Sequence, residues 1–241
     1  MLDVQDLHAS YGQTPVLRRV SLEVRAGEVV ALLGRNGSGR STLARALMGL
    51  LPWKGQVTWR GQSLGGLPPH TLAHMGLGYV PEHRDIFPGL SVRQNLRLGI
   101  KPRQSWLAGT SDRKDPDDWC EEDVYQLFPQ LRVRAQTLAG VLSGGEQQML
   151  ALGRTLMGNP GLMILDEPTE GLAPQLIEQV RLLIERLRQR STAVLLIEQK
   201  LTLALSLSDR VLVMGQGRIV YAGTPQGLLD QSAVRRTWLE V

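Results

Sequence analysis

The sequence predicts an α/β fold: a largely parallel sheet covered by helices, with antiparallel strands near both ends of the chain. Three observations carry this. Short continuous apolar runs at 28–33, 162–165 and 193–197 have the pattern of strands buried on both faces. Between them, 174–188 is amphipathic, with Leu176, Ile177, Val180, Leu183, Ile184 and Leu187 at helical spacing. The runs 210–214 and 218–221, joined by Gly215-Gln216-Gly217, form a hairpin pattern. Strands that alternate with helices build an α/β sheet.

The remaining elements follow in order. Residues 2–8 alternate like a half-buried strand, and 20–24 give a second short one. After the run 28–33 comes glycine punctuation, then a helix over 41–50. Residues 56–60 read as an exposed strand entering a turn at Gly61, and 77–80 as a short strand stopped by Pro81. A helix over 91–98 has Ser91 as its N-cap. Residues 101–118 carry prolines, glycine and many charges without periodicity, which is loop composition. Apolar spacing resumes at Val124, Leu127 and Phe128, and a longer helix covers 145–157, closed by Gly158-Asn159-Pro160. No internal repeat is visible.

Composition sets the outer limits. The 241 residues suit one domain with a smaller insert, at roughly 150 residues per domain. With 42% hydrophobic and 21% charged residues, collagen-like, coiled-coil and disordered classes are excluded. The one cysteine, Cys120, makes neither an internal disulfide nor a cysteine-based metal cage, and is read as a thiol without a role. No apolar run approaches the roughly 18 residues that span a bilayer. The first residues lack the basic start and apolar core of a signal peptide, so a cytosolic chain is expected. His70, His74 and His83 show no ligand spacing. Of the 27 basic residues 23 are arginine, and the net charge of +4 suits phosphate handling or a bland charged exterior equally.

The chemistry concentrates at Gly34-Arg35-Asn36-Gly37-Ser38-Gly39-Arg40-Ser41-Thr42, between a buried strand and a helix. Glycines let the backbone curl so that its amides point at a polyphosphate, and the helix N-terminus adds its dipole. Ser41 is placed for a magnesium ion. The phosphate-loop pattern is met at every position but one: it asks for lysine where Arg40 stands. Asp166 and Glu167 end the strand 162–165. Alone, such a pair is usually a solvated turn; beside a phosphate loop, the first acid holds magnesium and the second orients or deprotonates water. Ser143 caps the helix that opens Ser143-Gly144-Gly145-Glu146, leaving bare amides at its positive end as a second phosphate-binding element.

Together, the phosphate loop, the segment 142–148 and Asp166-Glu167 strongly resemble the nucleotide-binding subunits of ATP-binding cassette transporters. The resemblance covers nearly the whole chain, and Asp166 follows Gln148 by 18 positions, room for one helix and one strand. It implies a P-loop NTPase core sheet with an antiparallel β subdomain and an α-helical signature subdomain. The single ATPase domain 1–241 then divides into a core (1–76 and 160–241) and a helical subdomain (77–159). It further implies a head-to-tail dimer, with ATP between the phosphate loop of one subunit and the signature Ser143, Gly144, Gly145 and Glu146 of the other. Tyr11 resembles the aromatic that stacks on adenine, and residues 170–173 the loop linking the two sites. The helical subdomain would receive a transmembrane permease, placing the chain at the cytoplasmic face of the membrane; a substrate-binding protein takes part indirectly, and nucleic acid does not.

Glu82 stands where many relatives have a magnesium-contacting glutamine, and Gln199 where most have a γ-phosphate-contacting histidine. Together they resemble one branch, the second ATPase of branched-chain amino acid importers, with urea and short-chain amide importers close by. Gln199 can still donate an amide hydrogen bond to phosphate. Arg40 departs even from that branch. A planar forked guanidinium keeps the charge of lysine but not its compact placement, so ATP is expected to bind and be hydrolysed slowly. The expected catalytic set is Glu167, Gln199 and Arg40, the metal set Ser41, Glu82 and Asp166, and the cofactors ATP and Mg2+. The partner is a second ABC ATPase in a homo- or heterodimer, and three functions compete: an importer ATPase; an ATP-binding clamp paired with an active ATPase; and a translation or repair ATPase. The last is disfavoured by the single motif set and the absence of heptads. The stretch 101–119 exceeds what the branch needs, and Trp106 and Trp119 keep a role for it as an extra contact open.

Overall fold

The computed structural model describes residues 1–101 and 118–239. Two sheets organise it. The larger has six strands in the order β10-β9-β3-β8-β7-β6. These are β3 (Val29–Leu33), β6 (Leu77–Val80), β7 (Leu162–Asp166), β8 (Ala193–Ile197), β9 (Arg210–Gly215) and β10 (Arg218–Gly223). All pair in parallel except β9 with β10, the expected hairpin. The smaller sheet is antiparallel, in the order β2-β1-β4-β5. It comprises β1 (Leu2–Tyr11), β2 (Thr14–Val24), β4 (Trp53–Trp59) and β5 (Gln62–Ser63).

Burial explains the layers. Every residue of β3, β7 and β8 is buried, so their alternate side chains must feed two different cores. Val30, Leu32, Ile164 and Leu195 face a core shared with the antiparallel sheet and with α1 (Arg40–Leu47), through Leu7, Leu43 and Leu47. Val29, Met163, Leu165 and Val194 face the opposite way. They meet α3 (Val92–Leu98), α4 (Glu121–Leu127), α5 (Pro129–Val133), α6 (Gly144–Leu156) and α7 (Pro174–Gln189). A smaller core joins Ala31 and Leu33 to α8 (Leu201–Leu207) and α9 (Pro225–Asp230).

Two helix starts read from sequence are built as capping boxes. The Ser91 hydroxyl accepts from the Gln94 amide while Gln94 accepts from the Ser91 amide. Ser143 and Glu146 do the same at α6. The helix expected over 41–50 stops at Leu47, because Gly49 adopts a left-handed φ of 67° that ends it. The strand expected over 20–24 extends back to Thr14, paired along β1. Five short helices were not read from the sequence: α2 (Pro69–His74), α5, α8, α9 and α10 (Ser232–Trp238).

Trp106 lies outside the described residues. Trp119 is 5% exposed and packs inside its own chain under the Arg190 guanidinium, 4.0 Å from the ring centroid, rather than standing open to a partner. The Cys120 thiol donates to Asp123 at the start of α4. No described helix is long and apolar enough to cross a membrane.

Candidate nucleotide site

The phosphate loop leaves the buried end of β3 and enters α1 at Arg40. Gly37 (φ 78°) and Gly39 (φ 108°) take left-handed conformations that a side chain would strain, and a Cβ at Gly39 would press on Leu17 at 3.0 Å. The Ser38 hydroxyl is buried without a hydrogen-bond partner. An orphaned hydroxyl in a glycine cradle fits a ligand rich in acceptor oxygens. Around it lies a cavity of about 290 Å3, lined by the loop from Asn36 to Thr42 and by Glu82, Glu167, Glu170 and Gln199.

The parallel strands deliver the acids. Asp166 closes β7, and its Oδ1 accepts from the Ser41 hydroxyl at 3.1 Å. Burial pushes the Asp166 carboxyl above its usual range, with Ser41 and Tyr79 pulling against it. Two hard oxygen donors side by side are the donor chemistry magnesium takes. Ser41 and Glu82 both line the cavity, and Asp166 reaches it through its hydrogen bond with Ser41.

Glu167 follows with φ 50°, a left-handed value for a residue with a side chain, held by its amide donating to the Ile197 carbonyl at 2.9 Å. That turn sends its carboxylate inward. There it accepts from Arg40 Nη2 at 2.9 Å, and from Gln199 Nε2 at 2.8 and 2.7 Å. The Arg40–Glu167 pair is buried, with side chains 5% and 8% exposed. Arg40 Nη1 donates to the Glu198 carbonyl at 2.8 Å, and Nη2 also reaches Asn36 Oδ1 at 3.3 Å. Burial pulls the Arg40 guanidinium down from its ordinary value, while Glu167, Asp166, Glu198 and Glu82 pull it back. It remains a cation at the centre of an acidic ring. Arg40 and Gln199 therefore both bond to Glu167, and Arg40 also reaches back to Asn36 of the loop.

Sequence reasoning missed two members. Glu198 is 2% exposed, and burial pushes its carboxyl up although Thr169 donates to it at 2.7 Å and the Gln199 amide at 3.2 Å. Tyr79, on β6, donates to Asp166 Oδ2 at 3.3 Å. Neither sits in a motif; only the strand register brings them in.

The other expected nucleotide contacts stand apart from this cavity. Tyr11 ends β1 with its ring 44% exposed and its hydroxyl accepting from Arg45 at 3.4 Å. Ser143 is exposed at the head of α6, where a Cβ on Gly144 would meet the Arg84 guanidinium and one on Gly145 would meet Leu176. The Glu146 carboxylate is spent on the Ser143 amide and an ion pair with Arg134 at 2.8 Å, so it builds the cap. These residues do not line the phosphate-loop cavity of their own chain.

The family model described as "ABC transporter" matches residues 17–170. The high-affinity branched-chain amino acid transport ATP-binding protein BraG of Pseudomonas aeruginosa is 41% identical over 240 residues, covering 99% of both chains. The lipopolysaccharide export system ATP-binding protein LptB of Haemophilus influenzae is 32% identical, covering 99% of this chain and 97% of its own. Among solved structures, the ADP conformation of an ATP-binding cassette of an ABC transporter superposes with a TM-score of 0.77 at 26% identity, covering 98% and 97% of the two chains.

Proposed function

The chain belongs to the ABC transporter family as an ATP-binding subunit, and from that premise we propose that it powers an importer of branched-chain amino acids, with a rate set by Arg40. As a member it is an ATPase that binds ATP, couples hydrolysis to transport and works as a dimer with transmembrane permease partners. The finer assignment of residues rests on one observation: the guanidinium of Arg40, the carboxylate of Glu167 and the amide of Gln199 meet beside the phosphate loop.

In this reading the amides of Gly34 to Thr42 hold the phosphates, and Tyr11 stacks on adenine. Ser41, Asp166 and Glu82 would hold magnesium, which would supply positive charge to the phosphates. Glu167 accepts the proton of the attacking water, and Gln199 fixes that carboxylate and can donate to phosphate. Ser143, Gly144, Gly145 and Glu146 form the closing element offered to ATP on a second subunit, which accounts for their distance from the cavity of their own chain. Of a homodimer and a heterodimer, the branch resemblance carried by Glu82 and Gln199 favours a paralogous ATPase as the second subunit.

Arg40 makes the cycle slow. Before it can reach the γ-phosphate it must leave a buried ion pair with the general base, and its broad planar head then replaces a compact ammonium. A specific observation thus favours the clamp alternative in part: nucleotide binding is retained, turnover is reduced.

A groove of about 590 Å3 beside the site supports permease docking at the cytoplasmic face. Its rim carries Leu50, Phe87 and Leu98, which are 56%, 50% and 56% exposed. Both BraG and LptB match over their full length, and the higher identity to BraG, 41% against 32%, favours branched-chain amino acids over lipopolysaccharide. The test is uptake in proteoliposomes holding this subunit with the permease, second ATPase and binding protein encoded beside it. Labelled leucine should accumulate with ATP; accumulation of urea or an amide alone, or lipid extraction instead, refutes the substrate.

A further inference from the structure

The register of β6 on β7 carries a role for Tyr79. Tyr79 pairs with Ile164, and Ile164 and Asp166 lie two residues apart on one face of β7. The phenol therefore reaches diagonally across the pair to Asp166, within range of a long aromatic side chain. Its hydroxyl donates to Oδ2 at 3.3 Å while Ser41 donates to Oδ1 at 3.1 Å. Each oxygen of the carboxylate is thus held by a separate donor, one from the sheet and one from α1.

We propose that Tyr79 is a positioning residue that fixes the Asp166 carboxylate for magnesium. This rests on the reading of Asp166 as a magnesium ligand. Partners that hold a metal-binding carboxylate set its orientation, and their loss costs about tenfold or more in metal affinity. The test is binding of trinitrophenyl-ATP by the full chain across a magnesium titration and in chelator, for wild type, Y79F and D166N, with melting curves for each. Y79F should need about tenfold more magnesium for its half-maximal effect, while its affinity in chelator and its melting match wild type. An unchanged magnesium requirement in Y79F, beside a raised one in D166N, overturns the role of Tyr79. Equal losses with and without magnesium, together with lower melting, mean the phenol is merely structural and overturn it too. An unchanged requirement in D166N overturns the reading of Asp166, and the inference falls with it.

Discussion

Replacing Glu167 by glutamine is expected to lower ATP turnover at least 100-fold, the order of loss when a general base is removed, without weakening ATP binding. The amide keeps the size of the carboxylate but accepts no proton from water. It also dissolves the charge attraction that holds Arg40 to residue 167, a pair buried at 2.9 Å. The guanidinium is then freer to turn to phosphate, so affinity should hold or rise. Steady-state turnover and equilibrium binding of ATP by E167Q check both halves. Turnover near the wild-type rate contradicts the assignment of the base.

Arg40→Met should act in the opposite sense on binding. It removes the cation on which Glu167 converges and which Asp166, Glu198 and Glu82 attract. ATP affinity is expected to fall about 100-fold, the scale of one charge-assisted hydrogen bond lost in a buried site. Stability should suffer as well, by about 3 kcal/mol, because breaking a buried pair leaves charge uncompensated. The loss depends on pH. Asp166 and Glu198 already titrate above their usual range because burial penalises their charge. Without the guanidinium they move further up, and the folded variant holds protons that the unfolded chain has released. Its stability is kept at low pH and drains away as the pH rises through those raised values. Melting curves above neutrality and near the ordinary carboxylate range should show the gap from wild type wide in the first and narrow in the second.

Features encoded locally were legible in the sequence. The three apolar runs became β3, β7 and β8 because full burial on both faces leaves no alternation to confuse the reading. The starts of α3 and α6 were legible because a capping box is written within four residues. What escaped depends on partners far along the chain. Arg40 meets Glu167 across 127 positions, and Tyr79 meets Asp166 across 87. No periodicity encodes either contact; the parallel order of β6, β7, β8 and β3 creates them.

The arginine excess shows the same limit. It suited phosphate handling and a bland charged exterior equally, yet Arg60, Arg132, Arg154 and Arg190 lie over the rings of Trp59, Tyr125, Phe87 and Trp119 at 4.0 to 5.3 Å. A planar guanidinium stacks on such rings where an ammonium does not. Arg210 pairs with Glu28, and Arg188 with Asp209, tying down the edges of β9. Part of the excess is therefore structural, and one member of it, Arg40, is buried against Glu167 beside the phosphate loop.

That member provides the central claim: Arg40 permits ATP binding and slows hydrolysis. The most direct measurement is ATP turnover of the assembled, substrate-stimulated transporter carrying either wild type or Arg40→Lys. A compact ammonium should leave Glu167 more readily and sit closer between the phosphates, raising turnover about tenfold or more while ATP affinity changes little. Equal turnover in the two forms would contradict the claim.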